Sequence, residues 1–231
     1  MADNFYGKGF KFIRGVVRAF YPSYSINQAD LPDVPVVYVS HHQNLFGPFV
    51  ILLWFPRCLH AWILHVFLDQ NACYRQYVDF TFTKRFGFPK LLAKGLAYPI
   101  SFFISKLLNS GKGIPVYRGS RKILHTFQQS VVALKNGESI VIFPDTHYQD
   151  SSAGTNEMYE GFLFLEKYYY KETGKHVCFV PLYASKKKKT LISGSPVYFR
   201  DGEDFQTERK FVLGKIHDHL NELARQCGDL S

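Results

Sequence analysis

Val36-Val37-Tyr38-Val39-Ser40-His41-His42-Gln43-Asn44-Leu45-Phe46-Gly47-Pro48 decides the fold of this chain. Its first four residues are β-branched or aromatic and read as a buried strand. Gly47-Pro48 stands where a helix opens, ahead of the apolar run Phe49 to Phe55. The histidine pair therefore falls in a strand-to-helix loop, a usual mounting for a reactive base.

The same alternation continues outward. Strands are expected at 34–39, 59–65, 114–117, 139–143, 178–183 and 196–199, and helices at about 48–55, 157–171 and 207–227. A further helix follows Ser120, a good N-cap, with Ile123, Leu124, Phe127, Val131 and Leu134 inward and Asn136-Gly137 at its close. Strands alternating with helices give the α/β class: a mixed, mostly parallel sheet with helices on both faces. Phe86 to Leu108 is apolar but interrupted by Pro89, Gly95 and Pro99, and it reads either as two short helices or as ordinary core.

Residues 1–21 form a separate amphipathic segment. At helical spacing Phe5, Phe10, Phe12, Ile13, Val16, Val17 and Phe20 share one face, and Lys8, Lys11, Arg14 and Arg18 the other. Such a helix either packs on the core or lies at a membrane interface, its aromatics among acyl chains and its cations at anionic headgroups. Residues 22–231 read as one α/β domain.

Of 231 residues 46% are hydrophobic, with 22 Phe and 15 Tyr, and the formal net charge of +9 favours anionic partners. Aromatics and cations fall in no recognisable RNA-binding motif, which argues against nucleic acid. Cys58, Cys73, Cys178 and Cys227 are widely spaced, so neither a zinc site nor a disulfide framework is indicated, and reduced thiols are expected. The cationic N-terminal segment does not read as a signal peptide. The apolar runs are each cut by charge short of the roughly 18 residues a spanning helix needs. His60 with His65, and His217 with His219, make no defensible metal set; no metal is expected, and there is no dinucleotide fingerprint or P-loop.

The His41-His42 block resembles the first motif of the glycerolipid acyltransferases, the lysophosphatidate acyltransferase (PlsC-type) family, whose pattern runs roughly Asn-His-x-Ser-x-x-Asp-Pro. His42 takes the catalytic His, Asn44 the Ser, Gly47 the Asp and Pro48 the Pro. Three further blocks follow in order. Ile114-Pro115-Val116-Tyr117-Arg118-Gly119-Ser120-Arg121 is similar to the second motif; Phe143-Pro144-Asp145-Thr146 to Phe-Pro-Glu-Gly of the third; Val180-Pro181 to the Val-Pro of the fourth. The blocks span about residues 34 to 185.

The resemblance implies transfer of a fatty acyl group from acyl-CoA or acyl carrier protein to a hydroxyl of a glycerophospholipid-type acceptor such as lysophosphatidate. No cofactor beyond that co-substrate is implied. His42 would be the base, Arg118 the acceptor-phosphate ligand, with Gly119, Ser120, Arg121 and Asn44 beside the substrate. The partners implied are membrane lipid and the acyl donor, and the location is the cytoplasmic face of a membrane, peripherally bound. The helices of 86–108 would then either line an acyl groove or dip into the interface, or else be ordinary core. Gly47 cannot orient the His42 ring. Three substitutes stay open: another acid, with Asp145 first and Glu157 or Glu160 behind; a backbone carbonyl; or no substitute, leaving a catalytically impaired lipid-binding protein.

Overall fold

The computed structural model describes residues 5–26, 31–147 and 149–230. Among these are seven strands: β1 (Ser25–Ile26), β2 (Val37–Val39), β3 (Leu59–Leu64), β4 (Ile114–Val116), β5 (Ser139–Ile142), β6 (Phe179–Ser185) and β7 (Thr190–Ser193). The helices are α1 (Lys8–Phe20), α2 (Phe46–Trp54), α3 (Gln70–Gln76), α4 (Lys90–Ser110), α5 (Ile123–Lys135), α6 (Leu165–Thr173) and α7 (Phe205–Gln226). The fold is α/β with mostly parallel strand pairing. The chain divides into two compact units, one of Met1–Gly15 with His60–Thr126 and a larger one of Val16–Leu59 with Phe127–Ser231.

In the larger unit the strands run β1-β7-β6-β2-β5, and only the β6–β7 pair is antiparallel. Every residue of β2, β5 and β6 is buried, so these strands are apolar on both faces, as parallel strands covered on both sides must be. In register, Val39 stands opposite both Ile142 and Pro181. Asp204 caps α7, its carboxylate accepting the Gln206 and Thr207 N–H groups, and Val212, Ile216, Leu220 and Leu223 pack inward as their spacing predicts. Pro196 cannot donate to a ladder, and the expected strand at 196–199 is reduced to a Phe179–Val197 bridge. Residues 160–164 form a 3₁₀ turn, so α6 begins later than the apolar spacing suggests.

The smaller unit pairs β3 with β4 in parallel and carries α3, a π-helical segment Tyr77–Arg85, and α4. Two short helices were one of the two alternatives open for 86–108; the structure has instead one helix of 21 residues, about 31 Å long. Pro99 is tolerated because it sits on the outer face, and the carbonyl it leaves unpaired belongs to exposed Gly95. Because α4 runs on through Lys94 and Lys106, it is long and apolar enough, by length and composition, to cross a membrane, where the sequence reading expected no such helix.

No residue of α1 is buried. Its single expected apolar face divides: Phe10, Ile13 and Val17 are half-buried, while Phe12, Val16 and Phe20 are 69%, 42% and 88% exposed. The Phe10 N–H donates to Ser110 Oγ, tying the helix start to the end of α4.

Candidate active site

The loop after β2 is left-handed over three non-glycine residues, Gln43 (φ 45°), Asn44 (φ 49°) and Leu45 (φ 74°). Each costs of order 1 kcal/mol or more, least for Asn, and such strain persists only where surrounding bonds impose it. Here Gln43 is buried with its amide donating to the Ala184 carbonyl of β6 (3.2 Å), and Phe46 N–H and Gly47 N–H donate to the Gln43 and His42 carbonyls. The chain is thereby turned directly into α2.

Asp145 lies three residues beyond β5, as His42 lies three beyond β2, and the parallel register brings the two positions together. The Asp145 carboxylate is 4% exposed and both oxygens are engaged. Oδ2 accepts the His42 backbone N–H at 2.7 Å, and Oδ1 is 2.5 Å from Nδ1 of His41. Asp145 therefore holds the His42 main chain, while the ring it holds is that of His41. Successive side chains leave an extended chain in opposite directions, so one carboxylate cannot reach both rings.

His41 is 2% exposed and its Nε2 faces the Ser152 carbonyl at 3.0 Å. A carbonyl only accepts, so Nε2 carries a proton, and Nδ1 shares one with Asp145. Both ring nitrogens are thus engaged, and His41 serves as a post between the β5 loop and the 146–158 return. That return is fastened by the Asp145–Met158 bridge and by Asp150, whose carboxylate accepts the Ser152 N–H and Oγ–H. The Ser152 N–H foremost holds the Asp150 carboxyl below its ordinary range.

His42 is half-buried, edge-on to Phe143 (5.9 Å between ring centroids), and its Nδ1 lies 3.0 Å from the Leu45 N–H that donates to it. With Nδ1 accepting, the neutral ring carries its proton on Nε2. Asn44 is exposed on the left-handed turn. Gly47 is buried with no room for a side chain: a Cβ there would collide with the His41 carbonyl oxygen. The Asp of the family pattern is therefore sterically excluded by this loop. Of the other acids considered, Glu160 pairs with Arg209 at 2.8 Å and Glu157 is exposed, its main-chain carbonyl accepting from Thr146.

Arg118, Gly119, Ser120 and Arg121 belong to the smaller unit, as an exposed turn after β4 with Gly119 at φ 66°. Ser120 Oγ accepts the Lys122 N–H at 3.2 Å, so Ser120 caps a turn and α5 begins at Ile123. Among the described residues no cluster of three or more His, Cys, Asp or Glu is placed to hold a metal ion.

Sequence reasoning missed the partnership of His41 with Asp145, whose only signal is the parallel register of β2 and β5. It also missed a network about 350 Å³ of open volume beside α6 and α7, where His176 bridges Glu166 (2.6 Å) and Asp201 (3.0 Å) and Arg200 grips Glu208.

Among solved structures the fold is similar to the crystal structure of the 1-acyl-sn-glycerophosphate (LPA) acyltransferase PlsC from Thermotoga maritima, with a TM-score of 0.51 and 13% sequence identity over 94% of this chain and 78% of that one. At that identity the likeness is one of fold. No protein-family profile matches the sequence, and no curated protein matches it.

Proposed function

We propose that the protein is a peripheral, membrane-associated acyltransferase, working at the cytoplasmic face, that moves a fatty acyl group from acyl-CoA or acyl carrier protein to a hydroxyl of a lysophosphatidate-like acceptor. One observation carries the reading: the His42 loop and Asp145 leave the carboxyl ends of adjacent parallel strands, where open α/β sheets place their sites. The fold likeness to a lysophosphatidate acyltransferase supports it.

In the proposed step the His42 imidazole takes the acceptor hydroxyl proton as the oxygen attacks the thioester carbonyl. The tetrahedral adduct collapses with breakage of the C–S bond, and the thiolate leaves and takes up the proton. Arg118 binds the acceptor phosphate, where a bidentate grip suits its guanidinium. Asp145 acts through the main chain, fixing where the His42 ring is mounted, and Asn44, Gly119, Ser120 and Arg121 line the acceptor. For Nε2 to receive a proton, the ring must first carry its own at Nδ1, which requires the Leu45 N–H to swing away. The exposed left-handed residues Asn44 and Leu45 are the segment that would relax on doing so.

A second reading has its own observation. A ring whose Nδ1 is occupied by a backbone donor and whose neighbouring carboxylate serves another histidine suits a protein that holds lysolipid without turning it over. Thiol release from acyl-CoA in lysophosphatidate micelles separates the two. His42→Ala should cut the rate by about 10² or more while the protein stays folded. Wild type that releases no thiol with any lysolipid, yet retains lipid through purification, sinks the catalytic reading.

A further inference from the structure

In α4 the usual partition of side chains is inverted. Ala93, Ala97, Ser101 and Ser105, four residues apart, form its buried stripe, while Leu91, Tyr98 and Phe103 are 85%, 65% and 49% exposed. The buried side packs on α3 and on the π-helical segment, whose Val78 and Phe82 share a small core with Ala93 and Ala97. The exposed side continues along the outer side of the π-helical segment and through the turn that precedes the helix, where Phe80, Phe86 and Phe88 are also uncovered.

Cations are interleaved with this apolar surface. Arg85 lies over the Phe86 ring at 5.6 Å and Lys106 over Phe102 at 4.1 Å. From Phe80 to Thr126 there are nine Lys or Arg and no Asp or Glu. The smaller unit as a whole has thirteen cationic against three acidic residues, a net +10, whereas the larger has fifteen against sixteen, a net −1. The entire excess positive charge of the chain thus belongs to the unit with the inverted helix.

We infer that the outer face of α4 and the Phe80–Phe88 segment form a docking surface for one leaflet of an anionic phospholipid bilayer. The surface deepens the membrane-associated reading above and rests on it only for what the docked enzyme would do there. Apolar side chains enter the acyl region while Lys84, Arg85, Lys90, Lys94 and Lys106 reach phosphate headgroups. A second copy of the chain is a poor occupant, because a self-complementary contact would set this cationic face against itself. The helix lies in the plane of the leaflet and does not cross it: its inner stripe is packed on α3, whose Gln70, Asn71, Arg75 and Gln76 would be carried into hydrocarbon by a spanning helix.

The test is sedimentation of the full chain with vesicles of phosphatidylcholine, alone or mixed with phosphatidylglycerol. Leu91→Ser/Leu92→Ser/Phe103→Ser should bind mixed vesicles at least about 100-fold more weakly while the thermal melt falls by no more than about 5 °C, since these side chains are about half exposed or more. Lys90→Gln/Lys94→Gln should lose about 30-fold, an effect that salt abolishes. Unchanged binding by the triple variant overturns the proposal. So does a wild-type dimer that the triple variant dissociates without altering vesicle binding. Retention of wild type on vesicles through alkaline carbonate overturns the in-plane placement. Acyl transfer to a short-chain, water-soluble lysolipid, read in parallel, should be kept by the triple variant; its absence from wild type would end the catalytic reading and leave the docking surface standing.

Discussion

The core strands of the larger unit and helix α4 of the smaller are both strongly apolar, yet they treat their large side chains in opposite ways. Val37, Tyr38, Val39, Ile140, Val141 and Phe179 are 0% exposed, whereas α4 buries Ala and Ser and presents Leu, Tyr and Phe outward. Apolar composition states that a side chain is to leave water; it does not state for what. In the sheet the destination is the protein's own interior, packed at the density of a solid. For α4 the small inner residues permit close approach to α3, and the large outer ones are left for another apolar phase. The charge follows the same division, which is what a surface built for two media requires.

The comparison breaks first at the carboxyl edge of β2 and β5. His41→Ala leaves the Asp145 carboxylate buried opposite an empty space, and loss of one member of a buried pair costs about 3–5 kcal/mol. Urea unfolding should show a loss of that size, while His42→Ala, half-exposed, should change stability little and act on turnover. A His41→Ala protein within about 1 kcal/mol of wild type would mean that this edge is as tolerant as the outer face of α4, contrary to the role argued for His41.

A pair of substitutions then sharpens the contrast between the two interiors. Ile140→Ala opens a cavity among strands with no exposed surface and should cost about 2–5 kcal/mol. Ala97→Leu is the opposite change, adding bulk where α4 meets α3 and the π-helical segment, and overpacking should cost about 1–3 kcal/mol. Should Ala97→Leu prove neutral or stabilising, the inner face of α4 is not closely packed and the inversion loses its meaning.

The sheet was legible because parallel strands buried on both faces need near-continuous apolar runs, and 36–39, 140–142 and 179–183 supply them. The α7 face was legible because its period matches burial on one side. The continuity of α4 was not, because Pro99 and Gly95 disfavour a helix locally, and the packing of its inner stripe on Val78 and Phe82 that offsets them is not visible in composition. At the site, the proximity of the His42 loop to Asp145 follows from a register that only pairing discloses. Which ring the carboxylate takes is decided by the alternation of side chains past β2, and whether Gly47 could be Asp is decided by the path of the His41 carbonyl. Those are backbone facts, invisible to motif matching.

The smallest expected effect is also the most discriminating for α4. Leu91 is 85% exposed, Leu and Gln have nearly equal helix propensity, and no packing is lost when one replaces the other. Leu91→Gln should therefore alter stability by no more than about 0.5 kcal/mol, a melting shift of roughly 2 °C or less. In the sheet a comparable change, Val141→Gln, would bury an unpaired amide and act at the scale of the core substitutions. If Leu91→Gln lowers the melt by several degrees in the absence of lipid, Leu91 is covered in solution. The outer face of α4 is then part of a protein interior, and the difference between the two regions is one of partner rather than of solvent.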